Sequence, residues 1–153
     1  MMNIRPATKA DLPQLVHMLA QDKLGQQRED YRLPLPEAYL RAFEVIDRDP
    51  QQELMVMADE GDEPIGMFQL TFIPYLTYQG GVRAQIEGVR VREDQRGKGL
   101  GEAAFRWAIA RAKAKGAHLL QLSTDKKRPE ALRFYEKLGF VASHEGMKMH
   151  FGQ

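Results

Sequence analysis

Gln85-Ile86-Glu87-Gly88-Val89-Arg90-Val91 runs without a break into Arg92-Glu93-Asp94-Gln95 and then Arg96-Gly97-Lys98-Gly99-Leu100-Gly101. The first part reads as a strand. Its alternate residues Gln85, Glu87, Val89 and Val91 are expected on one side, because strand side chains alternate. The polar run 92–95 ends it, and glycines follow at positions 97, 99 and 101. Beyond them Ala103, Ala104, Trp107, Ala108 and Ala112 recur at helical spacing. A glycine turn carries no Cβ to obstruct a ligand, and the first N–H groups of a helix have no partner within it. With the positive end of the helix dipole behind them and Arg96 and Lys98 beside them, these N–H groups make a cradle for phosphate.

Two common glycine motifs do not fit. The P-loop requires Ser or Thr after its Gly-Lys, whereas Gly97-Lys98 is followed by Gly99. The dinucleotide fingerprint requires a third glycine where this chain has Glu102. Arg96-Gly97-Lys98-Gly99-Leu100-Gly101 instead resembles the acyl-CoA pyrophosphate loop of the GNAT superfamily of N-acyltransferases. A second segment, Ala131-Leu132-Arg133-Phe134-Tyr135-Glu136-Lys137-Leu138-Gly139-Phe140, is similar to that family's Ala-x-x-Phe-Tyr-x-x-x-Gly-Phe landmark. The two motifs stand in the right order, a helix and a strand apart. The resemblance covers Ile86 to Phe140 well and the first 80 residues only in the order of elements.

The resemblance implies an α/β domain (α+β in some schemes): a twisted mixed sheet of six to seven strands with helices on both faces. It implies acetyl-CoA as co-substrate and direct attack by a primary amine in a ternary complex, with no metal. Residues 96–101 would hold the pyrophosphate, chiefly Arg96, Gly97, Lys98, Gly99 and Gly101. The backbones of Val89 and Val91 would meet the pantetheine arm where two parallel strands part. Val89 N–H would also stabilise the oxyanion that forms on the thioester carbonyl. Tyr135 matches the family's general acid, which protonates the departing thiolate. Glu87 matches the carboxylate that some members use as a base through water, with substrate anchor and structural carboxylate as its other roles. The family's Asn three residues before the alanine is Arg128 here, a longer side chain that would reach a phosphate instead.

The rest of the chain supplies the frame. Residues 2–6 suit an edge strand, and Thr8 or Asp11 can cap a helix carrying Leu12, Leu15, Val16 and Leu19 on one face. Residues 23–36 read as a loop, and 37–47 as a second helix with Tyr39, Leu40, Phe43 and Ile46 inward. These two helices and their loop form one wall of the acceptor site in the family layout. Tyr31 and Tyr39, with Glu29 and Asp30, are therefore candidate substrate contacts, as is Tyr75 on the later loop. Strands are expected at 53–59, 65–75 and 118–123, the last parallel to the organising strand because a helix crosses between them. Pro129 starts the final helix and Gly139 stops it. Residues 141–143 and 147–151 are expected to close the sheet as a hairpin around Glu145-Gly146.

With 153 residues, 43% hydrophobic and 28% charged, the chain is expected to be one globular domain, 1–153. A net charge of +1 provides no general pull toward nucleic acid or membrane. The absence of cysteine excludes disulfides, thiolate metal sites and a cysteine nucleophile. The histidines at 17, 118, 144 and 150 have no metal-ligand spacing. No membrane span or signal segment is apparent, so the cytoplasm is the expected compartment. The expected partner is an amine acceptor on a small molecule or a peptide, with a homodimer left open. Two rival functions use the same features. One is a non-catalytic acyl-CoA sensor; the other is a protein- or RNA-interaction domain using Arg106, Arg111, Lys113 and Lys115.

Overall fold

The computed structural model describes residues 2–152. A five-stranded sheet runs in the order β1 (Asn3–Pro6), β2 (Gln52–Ala58), β3 (Pro64–Pro74), β4 (Val82–Val91) and β5 (Leu119–Gln121). Neighbours are antiparallel except β4 and β5, which are parallel. That exception follows from the crossover helix between them, α3 (Leu100–Ala114). Helices α1 (Leu12–Gln21) and α2 (Glu37–Arg48) cover the other face, and α4 (Pro129–Lys137) follows β5.

Each face has its own core. Phe68, Leu70, Phe72, Ala84 and Ile86 pack with Ala104, Phe105 and Ala108 of α3, the small alanines letting the helix lie close. On the opposite side Leu12, Leu15 and Met18 of α1 and Phe43 of α2 meet Val56, Ala58 and Met67. The entry to α1 is fixed by Asp11, whose carboxylate accepts the Thr8 N–H at 2.7 Å and both outer nitrogens of Arg5 at 2.8 and 2.9 Å.

Two expectations are corrected. The expected alternation of Gln85, Glu87, Val89 and Val91 on one face breaks at Gly88. This residue has φ +65°, and the β3–β4 register shifts beside it. An extra residue in one strand is a bulge, and it resets which face the following side chains take. Ile86, Val89 and Val91 therefore all pack on the α3 side, whereas Gln85 and Glu87 hydrogen-bond to each other away from that core. The second correction concerns the end of the chain. Among the described residues the sheet has five strands, not six or seven, and the expected hairpin over 141–151 is absent. Residues 141–152 are exposed, and they lack the strand partner that a hairpin there requires.

Candidate active site

β4 and β5 are in register only at Arg83–Leu119, Ala84–Leu120 and Gln85–Gln121. From Ile86 to Val91 the β5 side of β4 has no strand partner. The pair thus opens into a wedge, and the Val89 carbonyl turns to the guanidinium of Arg90 at 2.8 Å. Backbone exposed inside a sheet invites a ligand that can complete its hydrogen bonds. At the open end of this wedge, β4 leads into the glycine loop.

Gly97 and Gly99 both sit at φ +79°, and Gly99 caps α3 in the left-handed region. A Cβ added to either would meet nothing within 4 Å, so the concave side of the turn is open. Among the described residues, no protein acceptor takes the N–H groups from Gly97 to Glu102, whereas the next, Ala103 N–H, returns to the Gly99 carbonyl at 3.1 Å. Arg96 and Lys98 make only long contacts of 3.4 Å to the Val91 carbonyl and the Gln95 side chain. Free donors, an open turn and loosely held cations at a helix N-terminus fit a pyrophosphate.

Tyr135, on α4, packs against the same core as Val89 and Val91 of β4. Its ring packs against Phe105, Phe134 and Phe140 at centroid distances of 5.5, 5.6 and 6.3 Å. Its hydroxyl has no hydrogen-bond partner among the described residues, which leaves it available to a ligand. Glu87 is exposed and accepts a hydrogen bond from Gln85 at 3.2 Å. It heads a set of polar residues that sequence reasoning missed. Gln52, Thr71, Gln85 and Gln121 lie directly opposite one another across four strands, and Gln69 is opposite Glu87. Gln121 donates to Gln85 at 3.0 Å, and Gln69 and Thr71 both donate to the Gln52 carbonyl oxygen, at 2.8 and 2.9 Å. One half of this sheet face is therefore apolar under α1 and α2, and the other is a polar floor. An alignment across four strands has no signal in a single sequence.

Beyond Glu87, a charged cluster gathers where α1 ends. Arg128 donates from one nitrogen to both carboxylate oxygens of Asp22 at 2.6 Å, and Arg90 stands 3.6 Å from Asp22. Arg128, expected to meet phosphate, is thus engaged by a carboxylate 106 positions away. Burial alone would raise the Asp22 carboxyl, but the charges of Arg90 and Arg128 outweigh it and hold the group below its ordinary value. Burial, together with repulsion from Arg128 and Arg28, moves the Arg90 guanidinium down, against the pull of Asp22. Asp22 shifts as a paired carboxylate does and Arg90 does not shift as its partner would, since Arg90 is half-buried and shares that carboxylate with Arg128. The Nε atoms of Arg83 and Arg90 are buried without a protein partner.

The expected acceptor contacts separate. Tyr39 is committed, accepting the Asp30 N–H and donating to Glu29, both at 2.9 Å. Tyr31 is exposed and stacks on His17 at 4.5 Å. Tyr75 is hydrogen-bonded to His118, stacks against it, and has the Arg83 guanidinium over its ring at 4.8 Å. Of the basic residues considered for nucleic acid, Arg111 and Lys115 pair with Glu53 at 2.6 and 3.7 Å, and Arg106 faces Glu102 at 3.8 Å. A cavity of about 380 Å³ under β1, lined by Ile4, Phe43, Ile46 and Trp107, includes no residue of the wedge or the glycine loop.

A parallel strand pair that parts beside an open glycine turn of free N–H donors is a site shaped for an extended, phosphorylated ligand. The chain belongs to the acetyltransferase (GNAT) family, whose model matches residues 18–140. It is 28% identical over 143 residues to the L-methionine sulfoximine/L-methionine sulfone acetyltransferase of Pseudomonas paraeruginosa (strain DSM 24068 / PA7), covering 92% of this chain and 81% of that one. It is 33% identical over 88 residues to the aminoalkylphosphonate N-acetyltransferase of Salmonella typhimurium, covering 58% of this chain and 56% of the other. A crystal structure described as a transcriptional regulator from Bacillus halodurans C-125 is 59% identical, with TM-score 0.95 over 99% of this chain and 100% of that one. The chain is an acyltransferase that moves an acetyl group to an amine.

Proposed function

We propose that this chain binds acetyl-CoA along the β4–β5 wedge and acetylates a small polar amine held on the polar floor of the sheet. The observation that carries this reading is the unpaired edge of β4 from Ile86 to Val91 leading into free N–H groups at Gly97–Glu102. Acetyl-CoA, when bound, supplies an activated thioester; the residues around it position, donate and accept. The glycine loop N–H groups, Arg96 and Lys98 hold the pyrophosphate. The edges of Val89 and Val91 take the pantetheine amides, and Val89 N–H faces the carbonyl oxygen that gains charge.

Amine attack requires a neutral nitrogen, so a proton must leave an ammonium of ordinary pKa near 10. Glu87 is the exposed carboxylate on the floor side, where it takes that proton, directly or through water. Tyr135 O–H, unbonded and beside the wedge, gives a proton to the departing thiolate. Gln52, Gln69, Thr71, Gln85 and Gln121 present amides and a hydroxyl to the acceptor, with Tyr31 and Tyr75 at its margins. Arg128 acts through Asp22, tying the start of α4 to the end of α1 rather than meeting phosphate.

The acceptor is an amine that also carries an oxyanion or a strongly polar oxygen. Unpartnered Nε atoms of Arg83 and Arg90 support this, as do the two relatives named for a sulfoximine or sulfone amino acid and for aminoalkylphosphonates. CoA release measured with L-methionine sulfone, 2-aminoethylphosphonate, spermidine and a peptide N-terminus tests the reading. Turnover confined to spermidine or the peptide would overturn the acceptor class. Acetyl-CoA binding without turnover on any amine would leave only a sensor.

A further inference from the structure

We propose that residues 141–151 are an exchange arm that adds a strand to the free edge of β5 in a second copy of this chain. Val141, Met147, Met149 and Phe151 are 80%, 93%, 79% and 88% exposed. Large apolar side chains left this far in water, within one short segment, mark a surface that is covered in the working protein. The sequence of the segment alternates: as a strand it would turn Met147, Met149 and Phe151 one way and Lys148 and His150 the other, the pattern of a strand with one buried face.

The acceptor of that strand is visible in the same fold. Among the described residues β5 is paired only with β4, so its outer edge is bare. On one face Leu120 and Leu122 lie beside Phe134, Leu138 and Phe140, all only half-buried although they pack on the core. On the other face is Gln121, bonded to Gln85. An added strand in phase with β5 places Met147, Met149 and Phe151 over the half-buried apolar residues. It also places Lys148 and His150 on the face that carries Gln121. Both periodicities agree.

The occupant is a second copy because the segment, exposed along its whole length, is not on the bare β5 edge of its own body. Gly139, at φ +104°, ends α4, and the Phe140 N–H returns to the Tyr135 carbonyl at 3.1 Å. Beyond this point every residue to Gly152 is exposed, and the hydrogen bonds seen there are local: Ser143 N–H to the Val141 carbonyl at 2.9 Å and the Ser143 hydroxyl with His144 Nδ1 at 2.7 Å. Reciprocal exchange about a twofold axis satisfies two arms and two edges without refolding either body. At on the order of 150 Å² per large apolar side chain, Met147, Met149 and Phe151 of the two arms account for about 900 Å², and the surface they cover on the two bodies brings the total into the range of stable interfaces.

The natural chain has no cysteine, which makes a cross-linking test clean. Gln121→Cys is combined in turn with Gly146→Cys, Lys148→Cys or His150→Cys in the full chain, and each protein is oxidised mildly. Exchange predicts a covalent dimer, reversed by reductant, at a yield well above Lys148→Cys alone. Ser123→Cys, on an exposed residue, replaces Gln121→Cys if the latter does not fold. A disulfide within one chain would show that the arm closes on its own β5 and would overturn the proposal. Absence of a cross-link in every combination would overturn it as well. Independently, sedimentation of the wild-type chain at tens of micromolar is expected to give twice the chain mass, and Met149→Glu/Phe151→Glu the mass of a single chain. A monomeric wild type, its arm free for some other protein, would refute the exchange.

Discussion

Replacing Gly99 by valine separates ligand binding from folding, because the structure supplies its own control. Gly99 and Gly116 stand at opposite ends of α3, at φ +79° and +82°, and a Cβ at either meets nothing within 4 Å. Each valine therefore costs the backbone about the same, on the order of 1–2 kcal/mol for an L-residue in the left-handed region. Against a stability of about 5–15 kcal/mol both proteins fold, with Tm lowered by roughly 2–8 °C. Their effects on acetyl-CoA should differ sharply. At Gly99 the new methyls occupy the space in front of the free N–H groups. Losing two charge-assisted hydrogen bonds at about 1.5–3 kcal/mol each weakens binding by roughly a hundredfold or more. At Gly116 nothing borders the ligand, and affinity should stay within about twofold. Titration calorimetry with acetyl-CoA, beside thermal melts of both variants, makes the comparison. A folded Gly99→Val protein with wild-type affinity would refute the phosphate cradle. An equal loss in Gly116→Val would show that the effect passes through helix strain instead.

Tyr135→Phe keeps the ring packed against Phe105, Phe134 and Phe140. Stability and acetyl-CoA affinity should hold while turnover falls by about ten- to a thousandfold; unchanged single-turnover rates would return Tyr135 to a packing role. Glu87→Gln should lower turnover and flatten the acidic limb of the pH–rate profile with KM nearly constant if Glu87 is the base. A raised KM at constant turnover would make it an anchor instead. Asp22→Asn removes the carboxylate shared by Arg90 and Arg128, and should destabilise the protein by about 1–3 kcal/mol by leaving two half-buried cations unpaired; a melt unchanged from wild type would contradict that pairing. For pH dependence, the hydrogen bonds from Arg5, opposed by burial and aided by Thr8, hold the Asp11 carboxyl below its ordinary value of 3.8. A depressed carboxyl stabilises the fold fully above that value and loses the contribution as pH falls through the folded value. Urea melts from pH 6 down to 2 should therefore lose stability below about pH 4 in the wild type, with a shallower loss in Asp11→Asn. Parallel curves would argue against the pair.

Local chemistry was readable in the chain because it is written locally. The glycine turn, its flanking cations and the helix after it sit within a few residues. So does the Phe134-Tyr135 segment with its Pro129 start and Gly139 stop, and these two stretches fix the wedge and its tyrosine. Parallel pairing of β4 with β5 also followed, since a crossover helix leaves little choice. Other features depend on residues that meet only after folding. The expected alternation of Gln85, Glu87, Val89 and Val91 passes over Gly88, and only the pairing with β3 shows that Val89 follows Ile86 and not Glu87. Gln52, Thr71, Gln85 and Gln121 each read as an ordinary polar strand residue until register lines them up. Arg128 stands where the resembled family carries an Asn and is expected to reach a phosphate, yet Asp22 holds it, because a short ion pair across 106 residues depends on how α1 and α4 converge. The last twelve residues have the alternation of a strand, which the chain shows plainly. Only tertiary structure decides whether that strand pairs, since backbone hydrogen bonds need an open edge within reach, and among the described residues 141–152 are exposed and on no edge.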